Sequence, residues 1–494
     1  MSSIIYIKMS NQKERVYKQK IDPKQKLDPK KQLNEISLAF LNSQSDKNVI
    51  YEMEAKFGTR GIKRITKEDY DNVVKKLLSL GFQSDIINGI YTLKIQPEIL
   101  DIKTGEFKII PDFDKFRVEI LGITNIQEYC KTNNIENIYK KNYNAVSLIR
   151  KFDVQKSEDS NEYIQSANFD DFNFRVSLKK EETINKNSKI GKELFDNWNT
   201  SKKVFRYMNR VTFYHKAYPF KIDLSIVKSS SKNEKGYLIK TDDISKSNVF
   251  NNPESYEIEI EVDNLLAKTE YKSPEQLSEG LQKIVKIILS GLQKTNYPIS
   301  YVEQKETISG YFKLLFEEEY KKQGQVYNPK DRAYPSDFIG PNSKALLIKN
   351  ICQISSDFDV PNITNPYSYC VTDKADGERH LLYINNVGKI YLINTNMNII
   401  FSGAKTEEKH YFNSLLDGEL ILHDKLDNYI NTYAAFDIYF INNVDIRSRP
   451  FVKVPTKDSK YFEEGCRLPI LKEVVKNLKA VSIVAKKQET TNKL

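Results

Sequence analysis

The segment Tyr256-Glu257-Ile258-Glu259-Ile260-Glu261-Val262 limits the fold of this chain more than any other. Apolar residues and glutamates alternate with a period of two. A helix would scatter these carboxylates around its circumference. A strand places all three on one face and the isoleucines on the other. Tyr51-Glu52-Met53-Glu54-Ala55-Lys56 repeats the device far upstream, with Glu52, Glu54 and Lys56 on one face. Glutamate is a poor strand former, and neighbouring like charges repel unless water or a cation separates them. Two solvated strand faces are the plain reading. Pooled in one domain, Glu52, Glu54, Glu257, Glu259 and Glu261 make a candidate site for a hard cation, Mg²⁺ or Mn²⁺.

The sequence between these segments is mostly strand. Alternation predicts strands at Val49–Phe57, Phe116–Leu121, Phe172–Lys179, Val204–Tyr214, Lys221–Val227 and Tyr256–Val262. Charged residues share a face on several of them, Arg117 with Glu119, Arg175 with Lys179 and Glu181, and Arg206 with Arg210, while Asp223 and Lys228 lie on the next strand. A closed barrel lined this way would hold a triphosphate, with Lys56 and the arginines on phosphate oxygens and the glutamates on a metal. Thr66 and Asp69 open a helix with the stripe Tyr70, Val73, Val74, Leu77 and Leu78, stopped at Gly81. Ser273, Pro274 and Gln276 open a second helix whose apolar face is Leu277, Leu281, Ile284, Ile288 and Leu292.

A different composition begins near Ser336. Tyr369-Cys-Val-Thr-Asp-Lys374-Ala-Asp376-Gly377-Glu378-Arg379-His380 reads as a strand that ends, presents Lys374, turns at Gly377 and resumes. Leu416-Asp417-Gly418-Glu419-Leu420 and Tyr433-Ala-Ala-Phe436-Asp437-Ile438 follow, again in a β-rich setting. One Lys-x-Asp-Gly alone would be an ordinary hairpin turn; the ordered triple is much more specific.

Two resemblances rest on these residues. Residues 45–265 resemble the triphosphate tunnel metalloenzymes, nearest to the RNA triphosphatases of large DNA viruses and yeast. The Glu52-x-Glu54 strand, the Glu257-x-Glu259-x-Glu261 strand, Arg210 and Lys221-Ile-Asp223-Leu-Ser225 carry it. Met208 departs from that pattern, standing between Arg206 and Arg210 where the family often has a base. The second region is similar to the covalent nucleotidyltransferases, the guanylyltransferases and polynucleotide ligases. That similarity implies that Lys374 attacks the α-phosphate of GTP and forms a lysyl–GMP adduct. It implies nucleotide contacts from Asp376, Arg379, Asp417 and Glu419, with Phe436, or alternatively Tyr433, stacking on the base. Phe338-Ile-Gly-Pro-Asn342 looks like the lead-in segment of the viral enzymes. The attack needs a neutral amine, which desolvation or a nearby cation would supply. The family's later strands and its OB lid do not follow Asp437, so either a longer parent enzyme or a second chain carrying the rest is expected, and nucleotidyl transfer by these 494 residues is expected to be impaired.

Together the resemblances imply an α+β chain: an antiparallel β tunnel with flanking helices, then a mixed nucleotidyltransferase domain. The expected division is a basic arm and short helix at 1–44, the tunnel at 45–295, a connector at 296–335 and the second domain at 336–494. The implied activity is mRNA 5′-capping, in which pppRNA becomes ppRNA and then accepts GMP. The implied partners are 5′-triphosphate RNA, GTP, and an RNA polymerase or cap methyltransferase. A ligase with an unusual N-terminal module, or an inactive RNA-binding scaffold, are the alternatives. The net charge of +10 suits a phosphate-rich partner. Cys130, Cys352, Cys370 and Cys466 are dispersed without a CxxC pair, so a reducing, cytoplasmic setting without a zinc site is expected, and no membrane partner. The Lys/Asn/Ile bias suggests an AT-rich genome, such as that of a large cytoplasmic virus or a cytoplasmic plasmid.

Overall fold

The computed structural model describes residues 28–101, 106–108, 116–156, 161–330, 332–350, 370–453, 465–479, 482–486 and 488–490. The arm before residue 28, Cys352 and Tyr369 lie outside them.

Eight antiparallel strands form the first body: β1 (Val49–Phe57), β2 (Ile90–Pro97), β3 (Phe116–Leu121), β4 (Val146–Asp153), β5 (Phe174–Thr183), β6 (Lys203–His215), β7 (Tyr218–Ser229) and β8 (Ser255–Val262). Their order is β1-β8-β7-β6-β2-β3-β4-β5, and β5 pairs back onto β1, which closes the barrel. Closure removes the free edges that eight strands would otherwise expose. Alternation then does the rest. Met53, Ala55, Ile222, Leu224, Ile258 and Ile260 face outward, and their neighbours in sequence face the bore.

The apolar core therefore lies outside the barrel, in two patches. One packs β1, β5, β7 and β8 against α1 (Pro29–Asn42), α2 (Lys67–Ser79) and α7 (Pro274–Leu292). The other packs β2, β3, β4 and β6 against α3 (Ile123–Thr132), α4 (Ile135–Lys141) and α5 (Lys189–Asp196), with Trp198 buried among them. A short α6 (Asn264–Glu270) leads into α7. Thr66 and Asp69 form the expected capping box on α2, and Gly81 takes a left-handed φ of 83° just past its end. Ser273 caps α7 by accepting from the Gln276 N–H, but the Gln276 side chain accepts from Lys272 instead of closing the box on Ser273. Helix α1 is more than part of an arm: Leu33, Ile36 and Phe40 belong to the barrel's own core.

The second sheet runs β11-β10-β9-β12-β13, from β9 (Glu378–Ile384), β10 (Lys389–Asn394), β11 (Ile399–Lys405), β12 (Ser414–His423) and β13 (Tyr429–Ile441). Both its faces are buried. α9 (Arg467–Leu478) covers one through Leu471 and Val474. α8 (Tyr301–Lys322) covers the other through Tyr311 and Phe312. The segment expected as a connector thus supplies a wall of the second body. Between α7 and α8, Thr295 donates to the Phe401 carbonyl at 2.8 Å, Lys294 pairs with Glu68 at 2.6 Å, and Tyr297 packs on Gly403. A Cβ at Gly403 would stand 2.4 Å from the Tyr297 ring, so only glycine admits that contact.

Candidate active site

The bore is charged along its length, and its charges answer one another across strands. Glu54 on β1 and Glu259 on β8 share Lys56, whose Nζ lies 3.0 Å from each. Arg210 on β6 reaches Asp223 at 2.7 Å and Glu259 at 3.2 Å, and Thr212 donates to Asp223 at 2.6 Å. Arg206 pairs with Glu257. Lys151 on β4 pairs with Glu52 and lies 3.1 Å from Glu181 and 3.8 Å from Glu54. Arg117 bridges Glu119 at 2.6 Å and Glu181 at 3.0 Å, and Lys94 adds a 3.1 Å contact to Glu119. Lys179 pairs with Asp153. All five glutamates predicted for the site, and Lys56, Arg117, Arg175, Lys179, Arg206, Arg210 and Asp223, stand on bore-facing positions of paired strands.

Lys228 does not. It is an even-numbered residue of β7, where the even positions carry the outward Ile222 and Leu224, and it donates to the Phe250 carbonyl at 3.2 Å. The expectation that it binds phosphate is corrected by the alternation of its own strand. Conversely, Lys94, Lys151 and Asp153 are bore residues that the sequence pattern does not single out. A faint signal existed in Thr92-Leu93-Lys94-Ile95 on β2. On β4 it was blurred by Ile149 and Arg150, an apolar residue in the bore beside a charge outside it.

Burial in this network pulls the carboxylates apart. Desolvation, with Glu54 beside it, raises Glu52 to about 7 against the pull of Lys151. Burial also acts on Glu259, but Lys56 and Arg210 overcome it and hold that carboxyl at about 2. Glu181 is likewise held at about 2, by Arg117 and Lys151 against burial. Burial and the neighbouring Asp223 raise Glu261.

The donors match a hard divalent cation in kind: carboxylate oxygens on adjoining strands, at least one already held ionised. Among the described residues no three His, Cys, Asp or Glu groups are gathered closely enough to enclose a metal ion. The Lys56 ammonium occupies the space between Glu54 and Glu259. The chemistry of the set fits the group, with the lysine standing in as the local positive charge.

In the second body Arg379 and Asp417 make a two-pronged pair, Nε to Oδ1 at 3.1 Å and Nη2 to Oδ2 at 2.5 Å. Tyr439 donates to the same Asp417 oxygen, Arg379 donates to the Pro341 carbonyl at 2.7 Å, and its guanidinium lies over the Phe338 ring. Asp417 is wholly buried. It was expected to touch a nucleotide; it holds Arg379 instead. Gly340 is needed here, at φ 121° with Arg379 2.2 Å from where a Cβ would sit. Gly377 serves by space rather than by turn geometry: a Cβ there would stand 2.8 Å from the Leu420 carbonyl. Tyr433 is buried and its hydroxyl donates to the His380 carbonyl at 2.9 Å, which removes it as a stacking surface. Phe436 remains, with Lys486 over its ring and 3.9 Å from Glu419. Lys374 lies in the open, 88% exposed and 3.1 Å from Asp376, so the expected desolvation of its amine is not built here.

Residues 360–460 match the family model described as mRNA capping enzyme, catalytic domain. A probable mRNA-capping enzyme of Acanthamoeba polyphaga mimivirus is 30% identical over 195 residues, which are 40% of this chain and 13% of that protein. Among solved structures, the triphosphatase of the mimivirus capping enzyme aligns at 17% identity and TM-score 0.32, covering 52% of this chain and 96% of that one. An RNA triphosphatase of S. pombe aligns at 14% identity and TM-score 0.29, covering 58% and 99%. No described helix is long and apolar enough to cross a membrane. Through residues 360–460 the chain is similar to the catalytic domain of mRNA-capping enzymes.

Proposed function

We propose that the barrel is an RNA 5′-triphosphatase that releases the γ-phosphate of pppRNA, and that the second body belongs to a guanylyltransferase that caps the product through Lys374. The observation that carries the reading is the closed bore in which Lys56, Lys151, Arg117 and Arg210 face carboxylates from other strands. Such a space matches a triphosphate in charge and excludes most solvent, which strengthens each contact. Lys56 and Arg210 hold the phosphate oxygens, and the charge that gathers there in the transition state is met by groups already fixed in place. Glu54, Glu257, Glu259 and Glu261, with Glu52, are the residues that would hold Mg²⁺ or Mn²⁺. A bound divalent cation supplies charge neutralisation at the phosphate and a more acidic water.

In the second body Arg379, which Asp417 holds, and its cross-strand partner Glu419 would contact the ribose of GTP, and Phe436 would stack on the base. Asp376 stands beside the nucleophile. A cytoplasmic enzyme working with a polymerase or a cap methyltransferase completes the proposal.

The test is γ-phosphate release from a 5′-triphosphate RNA in the presence of Mg²⁺ or Mn²⁺. Glu259→Ala is expected to lower the rate by about 10²–10³-fold, with circular dichroism unchanged. Full activity in Glu259→Ala and in Glu54→Ala would sink the bore as the active site. Incubating the protein with GTP or ATP and weighing it by mass spectrometry tests the second activity. An adduct with AMP in place of GMP would favour the ligase reading.

A further inference from the structure

The two mouths of the barrel differ in chemistry. At one end β1 finishes and β5 and β6 begin; this mouth carries Arg175, the second residue of β5, and Arg206, the fourth of β6. The Nε of each is buried and has no hydrogen-bond partner among the described residues. Arg175 makes no ion pair there either, whereas its bore neighbours Lys56, Lys179 and Arg210 are all engaged. In the order β5-β1-β8-β7-β6 the two strands are four steps apart by either route around an eight-stranded barrel, so these guanidiniums face each other across the bore. A buried donor without an acceptor is costly, and two opposed at one opening point to an anion that completes them. At the other mouth the last bore-facing positions of β1, β2 and β3 are Ile50, Ile90 and Leu121, exposed by 48%, 46% and 38%. Lys221, the bore-facing cation of β7 at this end, is already paired with Asp263 at 3.3 Å, so the arc of Ile50, Ile90 and Leu121 is the apolar side of this rim.

We propose that RNA enters and stays threaded through the Arg175–Arg206 mouth, where these two residues grip backbone phosphate just downstream of the triphosphate, while the Ile50–Ile90–Leu121 mouth admits no RNA. The proposal rests on the triphosphatase reading and adds the direction of the substrate to it. A ligand that is only a triphosphate has no downstream phosphate to offer, so the grip distinguishes pppRNA from inorganic tripolyphosphate. Arginine suits this because its planar fork fits phosphate and keeps its charge.

The experiment compares a short 5′-triphosphate oligoribonucleotide with inorganic tripolyphosphate as substrates of the whole chain. Hydrolysis of tripolyphosphate by the unaltered protein reports on the triphosphatase reading alone. Arg175→Gln and Arg206→Gln are expected to raise KM for the RNA about tenfold more than KM for tripolyphosphate, and each to lower the salt dependence of RNA binding by about one contact. Ile90→Glu and Leu121→Glu, which place negative charge at the far mouth, are expected to leave the ratio of the two KM values unchanged. Equal effects of the arginine variants on both substrates would overturn the proposal, making them plain triphosphate ligands. A selective loss of RNA turnover in the far-mouth variants would overturn it too, by reversing the direction of entry.

Discussion

In the barrel, strands turn apolar side chains outward to the helices and charges inward; in the C-terminal sheet, both faces are apolar, and Arg379–Asp417 is set between them. Both bodies bury carboxylates, but with different company. A bore carboxylate such as Glu181 touches Arg117 and Lys151, each of which also serves another glutamate. Asp417 has one cation. Burial of charge is costly everywhere, so a shared network spreads the loss of one member while a lone pair cannot.

The sharpest way to break this comparison is to remove one cation from each body. Arg379→Leu leaves Asp417 buried with only Tyr439 and should cost about 3–5 kcal/mol in the second body, read as early proteolysis of residues beyond 336 while phosphate release persists. A second test inverts a face. Val118→Gln, on the outward side of β3, should destabilise the barrel by about 2–4 kcal/mol, while Ile149→Gln, facing the bore, should cost under about 1 kcal/mol. Comparable losses at both sites would contradict the inside-out arrangement.

The smallest effect sharpens the electrostatics. Glu52 is raised to about 7 in the folded barrel, so its contribution is full below its ordinary value near 4.5 and is lost as pH rises toward 7. Glu181 and Glu259 are held at about 2; their contribution is present above the ordinary carboxylate range and is lost as pH falls through it toward 2. Barrel stability, followed by fluorescence of Trp198, the chain's single tryptophan, should therefore peak between the two windows. Glu52→Gln should flatten the neutral-side slope, by on the order of 1–3 kcal/mol across it. An unchanged slope would mean that Glu52 is not held as described.

Much of this is legible in the sequence. The Glu52 and Glu257 strands gave their faces away, because a period of two leaves no choice of side, and β1 and β3 run over the predicted residues. Lys228 failed because one step along a strand reverses direction, and adjacency to Asp223 in sequence hid the odd count between them. Lys151 was missed for the complementary reason: pairing around a closed barrel is long-range, and only the ring of strands brings β4 beside β5. The second body's motif residues were legible in the sequence as a group. The division of labour among them was not, since nothing in Leu416-Asp417-Gly418-Glu419 says that the aspartate is sealed inside and the glutamate sits beside Lys486.

Lys56, held between Glu54 and Glu259, gives the bore the character of an ion exchanger. Many of the fixed charges already have their counter-charge tethered to the same wall. A small anion arriving alone must part a pair and leave an acid unanswered, so it gains little. A guest that brings both signs together releases the lysine and satisfies the glutamates in the same event. Selection for a complex ion over its separate parts is therefore a property of the empty resin, present before any substrate arrives.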